Sequence, residues 1–422
     1  MNKFIIEGGH SLVGEVRVSG AKNAALPILA ATALANEPCC IRDVPDIQDV
    51  RVMMAILRAI GIEVEVRESS ADSGLSLLVE PRGLASTEVP DYLMREMRSS
   101  IMLMGALLGR LGRVKVSYPG GCAIGPRPID LHLRGLRMLG AKVTERSGYI
   151  YGETPNGLRG TEIHLDFPSV GATENIMMAA VTARGRTVIK NAAKEPEIVD
   201  LQNFLNELGA EVRGAGTDCI RIEGIRELGG AKHTVIPDRI EAGTFMIAAA
   251  ITGGDIQITN VITEHFEAAT SKLRETGVEL IDGGNSIRVR ASERPLSVDV
   301  KTLPYPGYPT DMQPQIMALM TIARGTSIVS ETVYENRLKH AEELRRLGAN
   351  IKVEGRTAII KGVNNLYGAP VRATDLRSGA ALVLAGLAAE DRTVVEDIGH
   401  VDRGYERLEK KLSQLGAVII RT

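Results

Sequence analysis

The stretch Tyr118-Pro119-Gly120-Gly121-Cys122-Ala123-Ile124-Gly125-Pro126-Arg127-Pro128-Ile129-Asp130-Leu131-His132 gathers a thiol, a guanidinium, a carboxylate and an imidazole. Its glycines and prolines make it a loop rather than a regular element. Arg127 can lower the pKa of the Cys122 thiol or grip a phosphate with two parallel hydrogen bonds. A proline-bent surface loop with an incidental cysteine fits the same residues. The other cysteines are less suggestive: Cys39 and Cys40 adjoin the strand-like Ile41, and Cys219 opens the strand-like Cys219-Ile220-Arg221-Ile222. Their placement is neither a disulfide framework nor a metal-ligand spacing, and Cys39 and Cys40 read as core.

Further cations stand at the starts of apolar segments: Lys22 in Ala21-Lys22-Asn23, Arg98 in Met97-Arg98-Ser99 and Arg377 in Thr374-Asp375-Leu376-Arg377. A cation at a helix N-terminus opposes the macrodipole unless an anion lies between them. Each alone also reads as a solvated basic residue, but the recurrence favours an anion. Asn336-Arg337 and Asp402-Arg403-Gly404-Tyr405 stand before amphipathic segments, in the place that Arg127-Pro128 takes earlier in the chain. Arg403 can instead pair with Asp402 or Glu406.

These residues hang on a repeated framework. The phrase Leu57-Arg-Ala-Ile-Gly61-Ile-Glu-Val returns around Gly140, Gly209, Gly277, Gly348 and Gly416, at intervals of 68 to 79 residues. It predicts an amphipathic helix that ends on a glycine with positive φ and runs straight into a strand. The intervals exceed those of solenoid repeats, so each unit is a small folding module. Upstream of each phrase, positions 24–35, 99–108, 172–183, 243–252, 312–323 and 379–389 are apolar on nearly every face. Such helices are buried. The intervening strands alternate apolar and polar residues, as sheets with one wet face do. Most units end in a strand like Ile220-Arg-Ile-Glu-Gly224, yet the sixth stops at Thr422, and Phe4-Ile-Ile-Glu-Gly8 supplies the missing strand. The expected domains are therefore 21–236, carrying the Cys122 loop, and 1–20 with 237–422, the active site lying in the cleft between them.

With 422 residues the chain exceeds one ordinary core, and its 50 basic and 52 acidic residues give no overall attraction to nucleic acid or anionic membrane. Lys3 and Glu7 bracket only three apolar residues, too few for a signal peptide, and no apolar run suits a membrane span. A soluble cytoplasmic protein without membrane insertion is expected.

At this point the motifs resemble those of the UDP-N-acetylglucosamine 1-carboxyvinyltransferases, the enolpyruvyl transferases of murein synthesis. They are Gly20-Ala-Lys-Asn-Ala-Ala-Leu-Pro27, the Cys122 loop, Tyr308-Pro-Thr-Asp-Met-Gln313, Glu335-Asn-Arg337, Asp375-Leu-Arg377 and Asp402-Arg-Gly-Tyr-Glu406. The resemblance implies an α/β (α+β) fold: a two-domain inside-out α/β barrel of six βαβαββ-type repeat units with buried helices, three per domain. It also implies addition of phosphoenolpyruvate to the 3'-hydroxyl of UDP-N-acetylglucosamine, a tetrahedral phospholactoyl intermediate, and loss of phosphate, without metal or cofactor. By similarity Cys122 is the acid and the site of a covalent adduct, Asp311 takes the hydroxyl proton, and Lys22 and Arg403 join them in catalysis. Lys22, Asn23, Arg127, Arg337, Arg377 and Arg403 would hold phosphoenolpyruvate. Arg98, Arg127, Pro128, Ile129, Asp130, Leu131, Ser169, Val170, Gly171, Asp311 and Val333 would hold the UDP-sugar. Fosfomycin is the expected covalent inhibitor at Cys122. The family that makes 5-enolpyruvylshikimate 3-phosphate is the nearest alternative, separated by the Cys122 loop. A nucleic-acid clamp or an inactive scaffold is the alternative from a different class, but a clamp needs a basic lining.

Overall fold

The computed structural model describes residues 2–70, 74–120 and 128–422. Cys122 and Arg127 lie outside the described residues. The chain divides into two compact units, one formed by residues up to 19 and from 237 onward, the other by most of 20–236.

Each unit is built on buried helices. In the 20–236 unit these are Lys22–Ala31, Leu103–Leu111 and Val170–Ala180; in the other they are Arg239–Thr252, Gln313–Met320 and Leu376–Ala388. In Arg239–Thr252 every residue but the last is buried, including Arg239 and Glu241 in its first turn, and the run from Phe245 to Ile251 is wholly apolar. Arg239–Thr252, Gln313–Met320 and Leu376–Ala388 pack on one another. In the 20–236 unit, Leu103–Leu111 touches both of its fellows. Its Gly105 makes the approach possible, since a Cβ there would stand 2.1 Å from the carbonyl oxygen of Asn175.

Around the helices stand small sheets with one recurring order. In one, Glu162–His164 pairs parallel with Arg186–Lys190, which pairs antiparallel with Cys219–Glu223, itself antiparallel to Glu211–Arg213. Lys232–Thr234, Cys39–Val44, Gly74–Glu80 and Glu63–Ser70 repeat the order, as do Val13–Arg17, Asp255–Thr259, Ser286–Arg290 and Glu279–Asp282. Val300–Lys301, Thr326–Ser330, Thr357–Lys361 and Asn350–Glu354 follow it too. Arg113–Ser117, Tyr149–Glu153 and Lys142–Arg146 form a three-stranded version, with a lone parallel bridge from Glu88 to Lys115 in place of the first strand. In the last sheet the strand nearest the N-terminus, Lys3–Glu7, lies between Arg392–Glu396 and Val418–Arg421, with Ile5 opposite both Val394 and Ile420.

Each amphipathic helix runs into its strand through a glycine with φ between 88° and 101°: Gly61, Gly140, Gly209, Gly277, Gly348 and Gly416. A side chain would be strained in that left-handed region. The buried helices begin and end slightly differently from their apolar runs. Lys22 itself opens the first helix, and the segments 98–102 and 310–312 are short 3-10 turns that lead into Leu103–Leu111 and Gln313–Met320. No helix among the described residues is long and apolar enough to cross a membrane.

Candidate active site

In the unit that contains both termini, three of the sequence-predicted residues converge. Asp311 sits in the 3-10 turn Thr310–Met312 that leads into a buried helix. Arg337 Nη2 donates to its Oδ1 at 2.8 Å, and Arg377 donates to Oδ2 through Nε at 3.2 Å and Nη2 at 3.1 Å. Both guanidinium side chains are only 2% exposed, whereas the Asp311 side chain is 27% exposed. One carboxylate thus faces two buried cations, and each cation keeps a buried N–H without a partner among the described residues: Nε of Arg337 and Nη1 of Arg377.

The local sequence explains this clustering. Asp375 caps the helix Leu376–Ala388, accepting from the N–H groups of Arg377 and Ser378, while Ser378 Oγ accepts from the N–H of Asp375 in a reciprocal capping box. That cap fixes Arg377 in the first turn. Arg337 is held by a second contact, from Nη1 to Thr310 Oγ1 at 3.2 Å, and its guanidinium lies 5.4 Å from the ring centre of Tyr334. Burial would lower the pKa of Arg377, but Asp311 and Tyr405 more than offset it, so the group stays cationic.

Val333 enters through its backbone. Glu331, buried, accepts from the N–H groups of Val333 and Tyr334 with Oε1 and from Thr310 Oγ1 with Oε2. One carboxylate therefore ties the Val333 turn to the Asp311 turn. Arg403 ends the 3-10 segment Ile398–Arg403 and is half-buried. The Asp402 carboxylate takes two hydrogen bonds from Arg421.

In the other unit, Lys22 opens its helix buried, with Nζ 2.7 Å from Oδ2 of the buried Asp49. Its Ala21 N-cap offers no side-chain hydrogen bond, so Lys22 stands at an uncapped positive terminus, and Asp49 is the anion that offsets it. Asn23 beside it is half-buried. Arg98 donates from Nη2 to the Pro128 carbonyl at 3.3 Å, which draws it to the start of the helix Asp130–Met138. Ile129 is buried, Asp130 exposed and Leu131 half-buried. Ser169 caps the helix Val170–Ala180 by accepting from the Ala172 N–H. His132 joins these two helix starts: its ring is buried, a Cβ at Gly171 would come within 3.1 Å of it, and its Nδ1 lies 3.1 Å from Asn175 Nδ2. Arg98, Pro128–His132 and Ser169–Gly171 thus form one neighbourhood.

Asp49, Asn175, Glu331 and Gln315 carry no sequence signal that marks them as site residues. Tyr405 does stand inside a quoted motif, but its part is visible only in three dimensions. Cys39 is buried and its thiol is pushed up to about 11, chiefly by burial, so it is inert as a nucleophile. No group of acidic, histidine or cysteine side chains among the described residues is arranged to hold a metal.

A sequence model of the EPSP synthase (3-phosphoshikimate 1-carboxyvinyltransferase) family matches residues 6–412. The chain is 59% identical over 419 residues to UDP-N-acetylglucosamine 1-carboxyvinyltransferase 1 of Symbiobacterium thermophilum, covering 99% of this chain and 95% of that protein. It is 51% identical to UDP-N-acetylglucosamine 1-carboxyvinyltransferase of Geotalea uraniireducens over 421 residues, 100% of this chain and 99% of the other. Among solved structures, the enolpyruvyl transferase NikO from Streptomyces tendae superposes with a TM-score of 0.90 at 26% identity, over 100% of this chain and 99% of that one. EPSP synthase from Acinetobacter baumannii shares the fold, with a TM-score of 0.75 at 19% identity over the whole of both chains. A match over nearly the full length, and relatives more than half identical from end to end, show that the chain belongs to the EPSP synthase family and, within it, to the UDP-N-acetylglucosamine 1-carboxyvinyltransferases.

Proposed function

We propose that this protein transfers the enolpyruvyl group of phosphoenolpyruvate to the 3'-hydroxyl of UDP-N-acetylglucosamine and releases phosphate, the first committed step of peptidoglycan synthesis. The observation that carries this reading is the pair of buried guanidiniums at Asp311, each with an N–H that has no partner among the described residues. Phosphoenolpyruvate packs roughly three negative charges into a small frame, and arginine forks match its carboxylate and phosphate. Its acceptor is read from the relatives: those at 51–59% identity carry the UDP-N-acetylglucosamine name, whereas the EPSP synthase structure is 19% identical.

In the proposed reaction the 3'-oxygen bonds to C2 of phosphoenolpyruvate. Asp311 takes the hydroxyl proton and Cys122 delivers one to C3, giving the tetrahedral phospholactoyl intermediate. The C2–O bond to phosphate then breaks and C3 loses a proton, restoring the double bond. An aspartate is a weak base for an alcohol, so its proton transfer comes late, as C2 gains cationic character. Lys22, Asn23, Arg127, Arg337, Arg377 and Arg403 hold phosphoenolpyruvate. Arg98, Arg127–Leu131, Ser169–Gly171, Asp311 and Val333 hold the UDP-sugar. Cys122 forms the covalent adduct, with phospholactoyl or with fosfomycin.

The architecture we infer is an inside-out α/β barrel of six βαβαββ-type units in two domains, 21–236 and 1–20 with 237–422, both serving one reaction in the cytoplasm. The recurring sheet order and the buried helices support it. The test is phosphate release from phosphoenolpyruvate, measured with UDP-N-acetylglucosamine and separately with shikimate 3-phosphate. Release with the first is expected; release with the second alone overturns the assignment. Activity undiminished by fosfomycin would overturn the role of Cys122.

A further inference from the structure

The hydroxyl of Tyr405 lies where the three buried helices of its unit meet. Tyr405 is 2% exposed. Its Oη is 2.8 Å from Thr244 Oγ1 in Arg239–Thr252 and 3.1 Å from Gln315 Nε2 in Gln313–Met320, and its ring centre lies 5.3 Å from the guanidinium carbon of Arg377 in Leu376–Ala388. The proton directions follow from the partners. Thr244 spends its one hydroxyl proton on the Ile240 carbonyl at 2.8 Å, so it accepts from Tyr405. Gln315 has two amide protons, and the shortest contacts direct them to Tyr405 at 3.1 Å and to the backbone carbonyl of Asp311 at 3.0 Å. Burial, the largest influence on this phenol, raises its pKa, so the donor proton is retained.

The chain around Tyr405 is fastened on either side of Arg403. Asp402 accepts from Arg421 Nη1 at 2.9 Å, and Glu406 accepts from Ser19 Oγ at 2.7 Å. Gly404 lets the segment close down on the helix that carries Arg377, because a Cβ there would meet Leu376 Cδ2 at 2.6 Å. Tyr405 therefore ties the segment that presents Arg403 to the Asp311 backbone, through its hydroxyl and Gln315, and to the Arg377 guanidinium, through its ring.

We propose that Tyr405 is a positioning residue for the transfer reaction, holding Asp311, Arg377 and Arg403 in one fixed constellation at the phosphoenolpyruvate end of the site. This rests on the reading that Arg377 and Arg403 hold phosphoenolpyruvate and that Asp311 takes the proton of the acceptor hydroxyl. Tyr405 touches no substrate in this scheme. It acts through preorganisation, in which small displacements of charged groups cost rate out of proportion to their cost in stability.

The experiment compares the full-length protein with Tyr405→Phe, which keeps the ring and loses the hydroxyl, and with Gln315→Met, which cuts the same chain at its other end. Phosphate release is followed with each of the two acceptors, varying phosphoenolpyruvate and acceptor separately, alongside thermal melts. Both variants are expected to lose about tenfold or more in kcat/KM for phosphoenolpyruvate. The acceptor KM should stay within about twofold, because Asp311, the one group of the three that meets the acceptor, is a proton acceptor rather than a main anchor. If Tyr405→Phe does not fold, Gln315→Met decides. Unchanged kcat/KM for phosphoenolpyruvate, or equal losses for both substrates together with a large fall in melting temperature, would overturn the proposal. Activity with shikimate 3-phosphate in place of the UDP-sugar would overturn the acceptor assignment and leave this comparison intact.

Discussion

Lys22 and Asp49 form an ion pair of 2.7 Å in which neither partner has open access to water. They open neighbouring helices, Lys22–Ala31 and Gln48–Ala59, and the pair joins the two helix starts. Removing one partner of a buried pair leaves an uncompensated charge and costs about 3–5 kcal/mol, whereas replacing both by apolar groups is often neutral. Asp49→Leu should therefore destabilise the protein by about 3 kcal/mol or more, and Lys22→Met with Asp49→Leu should recover most of that. Urea titrations check both. A double variant no better than the single one would show that the pair does not act as a unit.

Asp311 holds two buried guanidiniums, so its loss should be felt in stability as well as in rate. Asp311→Ala is expected to lose most turnover yet still bind the UDP-sugar in calorimetry, because a proton acceptor rather than a main anchor is removed. It should also melt lower than the parent at low salt. Added inorganic phosphate should restore part of that difference by supplying the missing anion. Near-normal turnover would count against Asp311 as the base.

His340 gives the termini-containing unit an acid limit. It is fully buried; its Nδ1–H donates to the Arg337 carbonyl at 3.1 Å, and its Nε2 has no partner among the described residues. Burial lowers its pKa to about 4, and Arg337 adds to this while Asp375 opposes it. The fold thus prefers neutral His340. That preference is fully present above the unfolded value of about 6.5 and is lost as pH falls from there toward 4. The loss is on the order of 3 kcal/mol. His340→Leu should flatten the acid limb of a urea-midpoint profile between pH 6.5 and pH 4; an unchanged slope would rule His340 out as its source.

Glu174 works in the opposite sense in the other unit. Both of its carboxylate oxygens are buried without a partner among the described residues, and burial, followed by Glu197 and Glu195, raises its pKa well above the ordinary value. The fold here prefers the protonated acid. Its contribution is complete below the unfolded pKa and lost as pH rises toward the folded one. Glu174→Met should raise stability by about 1–3 kcal/mol at neutral to alkaline pH, with a smaller effect in acid. Chemical melts at both ends of that range check it, and a less stable variant at alkaline pH would contradict it.

The framework of this protein is written in local chemistry. A glycine at the end of an amphipathic helix allows the left-handed turn that a side chain would strain, and the mostly apolar helices have nowhere to go but inside, so both are visible in the sequence. Arg337 and Arg377 could be singled out by their recurring positions. Asp311 was named through the resemblance, but that both arginines share it could not be read, because it lies 26 residues from one and 66 from the other. Glu331 and Gln315 were invisible for the same reason: a buried polar residue announces itself only through partners that folding brings to it. Asp49 looked like an ordinary acidic residue in a helix's first turn until Lys22 was found beside it.

The pairing of Lys3–Glu7 with both Arg392–Glu396 and Val418–Arg421 has a consequence for how the chain is made. On the ribosome, this strand emerges well before either neighbour and meets neither until residues 392–421 have followed it. The 20–236 unit lies wholly between these events and has every strand of its own sheets once residue 236 is clear of the exit tunnel. Vectorial synthesis therefore imposes an order: the interrupted unit begins first and finishes last, while the inserted one matures in between. An early strand with apolar Phe4 and Ile6 is left waiting through that interval, and it is there that nascent chains are most open to capture by chaperones.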